Sequence, residues 1–319
     1  MFHSLILLSL APLLLVGCGI GEDAELAAGS GATLAVPPST EPGWRWESFG
    51  GIEVQVPQEW GGTTSGTAGY PAWCAFGRAD ELKPGVNRPL SLMPAIACSS
   101  DRPADSYAAG LELGTSLPVG RQELAGGWLV ETVEVAGVAV AVTSQDPQQM
   151  QDVLASLRPV QDGFDAHGCP LDSELRGEGV RPAARDLPGL DEIVTVSACR
   201  YLLPSSLPDL PEPLLASALL EGSDAAALIE QVGAAPSGSG PDDDDSCAPS
   251  YRLGDELVVL RLYDGTGVQE VVVRYSGCGG HGTDDGTTTR SLTAGVLDRL
   301  LIGSLAPTTL SGVVAGLTP

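Results

Sequence analysis

Apolar and polar residues alternate with a period of two along residues 52–56, Ile-Glu-Val-Gln-Val, and Pro57 then removes the donor a further strand residue would need. Trp44-Arg45-Trp46 alternates in the same way. Residues 128–135 and 138–142 are β-branched runs on either side of Ala136-Gly137, the pattern of a β-hairpin. Residues 147–157 switch to a helical period, with Pro147 at the start and Met150, Val153, Leu154 and Leu157 on one face. Further along, the pattern predicts a strand over 193–201. It predicts a helix over 211–232 from Leu214, Leu215, Leu219, Leu220, Ala226, Leu228 and Ile229, broken at Gly222-Ser223-Asp224. A second hairpin follows, 256–263 with 268–275 across Asp264-Gly265-Thr266-Gly267, and then a closing helix over 292–301.

Strands and helices in this order imply an α+β fold built as two small disulfide-braced domains, each with antiparallel hairpins and a closing helix. The N-terminal α+β domain is placed at 44–160 and the C-terminal one at 192–305. A turn-rich linker, 161–191, joins them, and 306–319 is a tail too short and broken to span a membrane. A loop over 234–249 carries Asp242 to Asp245. Both halves end in a hairpin followed by Val-Leu-x-x-Leu (Val153-Leu154 with Leu157, Val296-Leu297 with Leu300). A duplicated module and chance recurrence of a common hairpin–helix unit both account for that rhyme.

Ahead of these elements lies an apolar run over residues 5–16 that ends in Leu15-Val16-Gly17-Cys18. A spanning helix needs about 20 apolar residues, so the run has the length of a signal-peptide core. Its last four residues resemble the lipobox of bacterial lipoprotein precursors: aliphatic, aliphatic or small, Gly or Ala, then Cys. That resemblance implies a signal peptide at 1–17, cleaved before Cys18, and a diacylglyceryl group on the Cys18 thiol. Residues Met1 to Ser4 depart from the family pattern, lacking the usual Lys or Arg. Two acyl chains, at about 0.8 kcal/mol per buried methylene, hold a protein on a bilayer. Residues 18–43 are small, acidic and Pro-containing, a flexible tether reaching about 25–30 Å as a coil. The implied location is the extracytoplasmic face of the cell membrane.

Charge narrows the partners. The net charge is −25, and Lys83 is the one lysine among 16 basic residues. Such a surface repels nucleic acid, which excludes DNA or RNA as a partner. Of seven cysteines, setting Cys18 aside leaves Cys74, Cys98, Cys169, Cys199, Cys247 and Cys278. An even set in an exported chain implies disulfides, and six cysteines allow about 15 connectivities. The sequence-adjacent set Cys74–Cys98, Cys169–Cys199 and Cys247–Cys278 is the expected one, each loop adding about 3–4 kcal/mol by chain entropy.

Signatures of chemistry are sparse. The chain holds no Cys-x-x-Cys, His-Glu-x-x-His, Gly-x-Ser-x-Gly or Ser-x-x-Lys. Residues 277–282, Gly-Cys-Gly-Gly-His-Gly, match G-x-G-x-x-G, but Thr283-Asp284-Asp285-Gly286 follows instead of a helix, so no cofactor is expected. Beyond the signal peptide the histidines are His167 and His281, both in loop contexts. Glu131 and Glu134 fall on opposite strand faces and make poor acid/base partners. A Cys247–Cys278 bridge would bring Asp243 and Asp244 towards Asp284 and Asp285, a weak calcium candidate, since Ca²⁺ takes about six to eight oxygens. Trp44 and Trp46 share a strand face and are the candidates for contact with a glycan or protein of the envelope, the alternative being core packing. The expected role is non-enzymatic binding or envelope assembly. A cell-envelope hydrolase and a substrate-binding protein of a transporter are the alternatives, and the sequence says nothing of oligomeric state.

Overall fold

A computed structural model describes residues 40–61, 83–88, 107–187, 189, 195–204, 210–243, 247–265, 267–307 and 312–317, all within one compact unit. The fold is α+β and mostly strand. β1 (Trp44–Phe49) and β2 (Ile52–Pro57) form a hairpin whose turn, Gly50-Gly51, has φ of 59° and 93°. Two successive left-handed residues match the twist of the strands, which is why two glycines stand there. β3 (Gly85–Asn87) and β4 (Gly110–Leu113) pair in parallel; β5 (Gly120–Glu123), β6 (Leu129–Val135) and β7 (Val138–Ser144) are antiparallel. The β6–β7 turn is Ala136-Gly137, with Val135 opposite Val138 as the alternation predicts. Helix α1 (Pro147–Ser156) starts where Asp146 accepts from the amides of Gln148 and Gln149, and Met150 and Val153 are its buried residues. A short β8 (Arg158–Pro159) returns beside β2.

The remaining strands are β9 (Thr195–Leu202), β10 (Leu214–Glu221), β11 (Glu256–Tyr263), β12 (Val268–Arg274), β13 (Gly282–Asp284) and β14 (Thr289–Arg290). They build a six-stranded antiparallel sheet in the order β10-β9-β11-β12-β13-β14. The other sheets run β1-β2-β8 and β3-β4-β7-β6-β5. Helices α2 (Gly222–Ala234) and α3 (Ala294–Leu300) lie on one face of the six-stranded sheet, and a short α4 (Gly312–Ala315) adds Val314 to that core. Among the described residues no helix is long and apolar enough to cross a membrane.

One expectation fails here. Residues 211–232 are not one helix: the first part is β10, and the helix starts at Gly222, where a break was expected and where φ is +52°. The reason is burial on both faces. Leu214 packs with one core, Leu215 with a second and Ala216 with a third. A strand buried on both sides loses its alternation and reads as a continuous apolar run.

Three cores result. Val196, Ala198, Val258, Leu260 and Val273 meet Leu228, Val232, Val296 and Leu300 from α2 and α3. On the opposite sheet face Tyr201, Leu257, Val259 and Val272 pack with Leu175 and the Cys169–Cys199 bridge. The third core joins Phe49, Ile52, Val54 and Val56 to Leu111, Val140, Val142 and Val153, and also takes Leu202 and Leu215 from the C-terminal half. The Gly50 amide donates to Leu214 O at 2.7 Å, so the two halves meet along β1 and β10.

Candidate functional site: a buried polar junction with a surface histidine

Along that seam the strands carry polar residues into the interior. Glu47 and Ser48 on β1, and Ser217 on β10, are 0% exposed. A charge buried there must be paired and hydrogen-bonded to survive desolvation. Glu47 is: Oε1 accepts from Arg45 Nε at 2.9 Å and from Ser304 Oγ at 2.8 Å, and Oε2 accepts from Arg88 Nη2 at 2.5 Å. Arg88 also donates from Nε to Leu215 O at 2.6 Å. Burial pushes the Glu47 carboxyl up, but the Arg88 and Arg45 charges outweigh it and hold the group below its usual range. Burial likewise draws the Arg88 guanidinium down against the pull of Glu47. At the end of the large sheet, Tyr275 donates to Glu256 Oε1 at 2.8 Å. There Arg200 stands 3.8 Å from Glu256 and donates to Ala306 O at 2.8 Å. Burial raises the Tyr275 phenol well above its ordinary value, which keeps the proton that makes this bond.

Beside Glu47 lies a second cluster. The Asp165 carboxylate accepts from the His167 and Cys169 amides through Oδ1, at 3.1 and 2.8 Å. Its Oδ2 accepts from Ser48 Oγ at 2.6 Å and from Ser217 Oγ. Ser217 Oγ is also 2.8 Å from His167 Nδ1, and Ser197 Oγ donates to His167 O at 2.5 Å. With the Ser217 proton directed at Asp165, Nδ1 of the imidazole is the donor to Ser217 Oγ. His167 is half-exposed; Ser48, Asp165, Ser197 and Ser217 are buried.

Serine, histidine and aspartate are thus assembled, but not in the arrangement acyl transfer needs. There the base faces the nucleophile while the carboxylate holds the far ring nitrogen. Here Asp165 reaches Ser217 directly, and Ser217 is closed off from any substrate. The chemistry left to the cluster is to hold the His167 ring in one orientation. No sequence signal tied these residues together, because Ser48 and Asp165 are 117 positions apart and Glu47 and Ser304 are 257 apart.

The other singled-out residues fall as follows. The Gly-Cys-Gly-Gly-His-Gly loop does form a cradle of amides, but the chain fills it itself. The Gly280 and His281 amides donate to the two Asp242 oxygens at 3.0 Å each. His281 is 0% exposed, with Nδ1 2.5 Å from Pro241 O, so it is not the solvated loop residue its context suggested. Of the calcium candidates, Asp284 is held by a two-pronged pair with Arg181 at 2.7 Å on both arms. Asp285 is 1% exposed, pairs with Arg290 at 2.6 Å and accepts the Thr287 and Thr288 amides. Arginine thus occupies two of the carboxylates that a cation would need, and Asp244 lies outside the described residues. Among the described residues no three His, Cys, Asp or Glu side chains are grouped to hold a metal ion.

Trp46 is 5% exposed, with the Arg158 guanidinium 4.5 Å from its ring centroid, and Trp44 is half-buried against the neighbouring core. An open aromatic shelf at Trp44 and Trp46 is therefore not what this strand presents, because the Arg158 side chain lies over the Trp46 ring. The described disulfides are Cys169–Cys199 and Cys247–Cys278, with Cα separations of 5.6 and 5.4 Å. Cys18, Cys74 and Cys98 lie outside the described residues. The chain matches no protein-family model, no curated protein and no solved structure.

Proposed function

We propose that this chain is a lipid-anchored extracytoplasmic protein with a non-enzymatic role in binding or in envelope assembly. The observation that carries the reading is Leu15-Val16-Gly17-Cys18 behind a short apolar run. Disulfides support it, since they persist in oxidising compartments outside the cytoplasm. On this reading the membrane partner is the bilayer, engaged through acyl chains on Cys18. The further partner is a protein or glycan of the envelope. The halves 44–160 and 192–305 act as two modules of a single body, because one core, the Arg88–Leu215 bond and the Ser304–Glu47 bond are shared between them.

Labelling growing cells with radioactive palmitate tests the anchor. Label should enter the mature polypeptide, and the protein should sediment with membranes; Cys18→Ser should lose both. An unlabelled wild type, or a C18S product that still sediments equally, overturns the reading.

An envelope hydrolase is the second reading, and the residue types around His167 are what favour it. Loss of function in His167→Ala with folding intact would move the assignment there. A substrate-binding protein of a transporter fits less well, because that class alternates strand and helix in parallel sheets. Here β3–β4 is the one parallel pair among the named strands.

A further inference from the structure

The two described disulfides occupy opposite settings. Cys169 and Cys199 are each 0% exposed, inside the core that holds Tyr201 and Leu257. Cys247 and Cys278 are half-exposed, at the rim of the large sheet. Thiol–disulfide exchange requires a thiolate to reach a sulfur, so exposure decides which bond can react.

Local charge decides which thiol can reach it. Asp242 and Asp243 flank the bridge, and the run continues in sequence through Asp245, two residues before Cys247. The Asp243 amide donates to Cys278 O at 2.8 Å, which puts Asp243 directly against the bridge. A negative rim repels anionic thiolates and draws in thiols that carry an ammonium group.

We propose that Cys247–Cys278 is a thiol-exchange site selective for small cationic thiols, and that Cys169–Cys199 is purely structural. In the first step the incoming thiolate attacks one cysteine sulfur. The Cys247–Cys278 bond breaks, a mixed disulfide forms, and the other cysteine leaves as a thiolate that takes a proton from water. A second thiolate then attacks the mixed disulfide and frees the remaining cysteine. Two incoming thiols are oxidised to one disulfide, and the protein gains two electrons and two protons.

The site is built to open without unravelling. The amides of Cys278 and Gly279 donate to Arg252 O at 3.2 and 2.9 Å, and Asp242 holds the Gly280 and His281 amides. None of these bonds involves sulfur, so the Cys278 loop keeps its hydrogen bonds when the bridge is reduced.

The test exposes the natively folded protein to cysteamine, which is cationic, or to 2-mercaptoethanesulfonate, which is anionic. Each is used at low and at high salt. Samples are quenched with N-ethylmaleimide and alkylated positions are mapped by mass spectrometry. Cys247 and Cys278 should be labelled while Cys169 and Cys199 stay protected and the far-ultraviolet circular dichroism is unchanged. The cysteamine-to-sulfonate rate ratio should fall about fivefold on going to high salt, the size of a one-carboxylate preference about 8 Å away in water. Comparison within each thiol across salt removes their intrinsic reactivity difference. Equal labelling of both bridges, reduction accompanied by loss of the dichroism signal, or a salt-independent ratio overturns the proposal.

Discussion

Truncating Arg88 to alanine takes away three contacts at once: the bond to Glu47 at 2.5 Å, the bond to Leu215 O at 2.6 Å and a longer one to Ser48 O at 3.4 Å. What remains is a carboxylate with 0% exposure, still held by Arg45 and Ser304. Removing one member of a buried ion pair costs about 3–5 kcal/mol, because the partner keeps its desolvation penalty. A buried carbonyl that loses a charged donor adds about 1.5–3 kcal/mol. The retained Arg45 and Ser304 contacts offset part of this, so Arg88→Ala should destabilise the protein by about 3–4 kcal/mol at pH 7.

The sign of the pH dependence follows from Glu47. Its carboxyl is depressed in the folded state, so its contribution is complete above the unfolded value of 4.5 and is lost as the pH falls through the folded value. Without Arg88 the strongest influence lowering that carboxyl is gone, while burial still raises it. Glu47 in the variant therefore takes up a proton at higher pH than in the wild type, and the penalty shrinks between pH 7 and pH 4. Urea unfolding followed by circular dichroism at both pH values measures this, with Arg121→Ala as a surface control. The Arg121–Glu131 pair spans 3.6 Å with Arg121 46% exposed, and it should contribute less than about 1 kcal/mol. An Arg88→Ala variant within about 1 kcal/mol of wild type at pH 7, or a penalty that does not shrink in acid, refutes the reasoning.

Diethylpyrocarbonate should modify the half-exposed His167 and leave the buried His281 untouched until the protein unfolds; modification of both in the native state would contradict the geometry. Gly254→Ala should destabilise by at least about 3 kcal/mol in the same urea assay, because φ is +72° and a new Cβ would sit 2.2 Å from Gly277 N and Ser276 Oγ. Arg181→Met should lower stability only slightly at pH 7, since the guanidinium that pairs with Asp284 is exposed to solvent. Burial pushes the Asp284 carboxyl up but the Arg181 bond prevails and lowers it, so that small cost should fade as the pH drops below 3.8.

Elements whose pattern is local were legible along the chain. The hairpin at Ala136-Gly137, the strand ending at Pro57, the helix behind Asp146-Pro147 and the hairpin over 256–275 each rest on residues within one turn of one another. Cysteine spacing also placed Cys169 opposite Cys199 and Cys247 opposite Cys278. β10 was misread because two-sided burial erases the period that separates strand from helix.

The amino-acid order thus decided the turns, the caps, most strands and the helical faces, since backbone preference and side-chain period act between near neighbours. It could not decide which carboxylate meets which arginine. Glu47 reads as an ordinary strand glutamate until β10, Arg88 and Ser304 arrive around it, and Asp284 reads as a free acid until Arg181 lies across it. Those pairings depend on the arrival of remote faces within about 3 Å, and an ion pair's worth changes sign with burial. Only the folded chain sets either quantity.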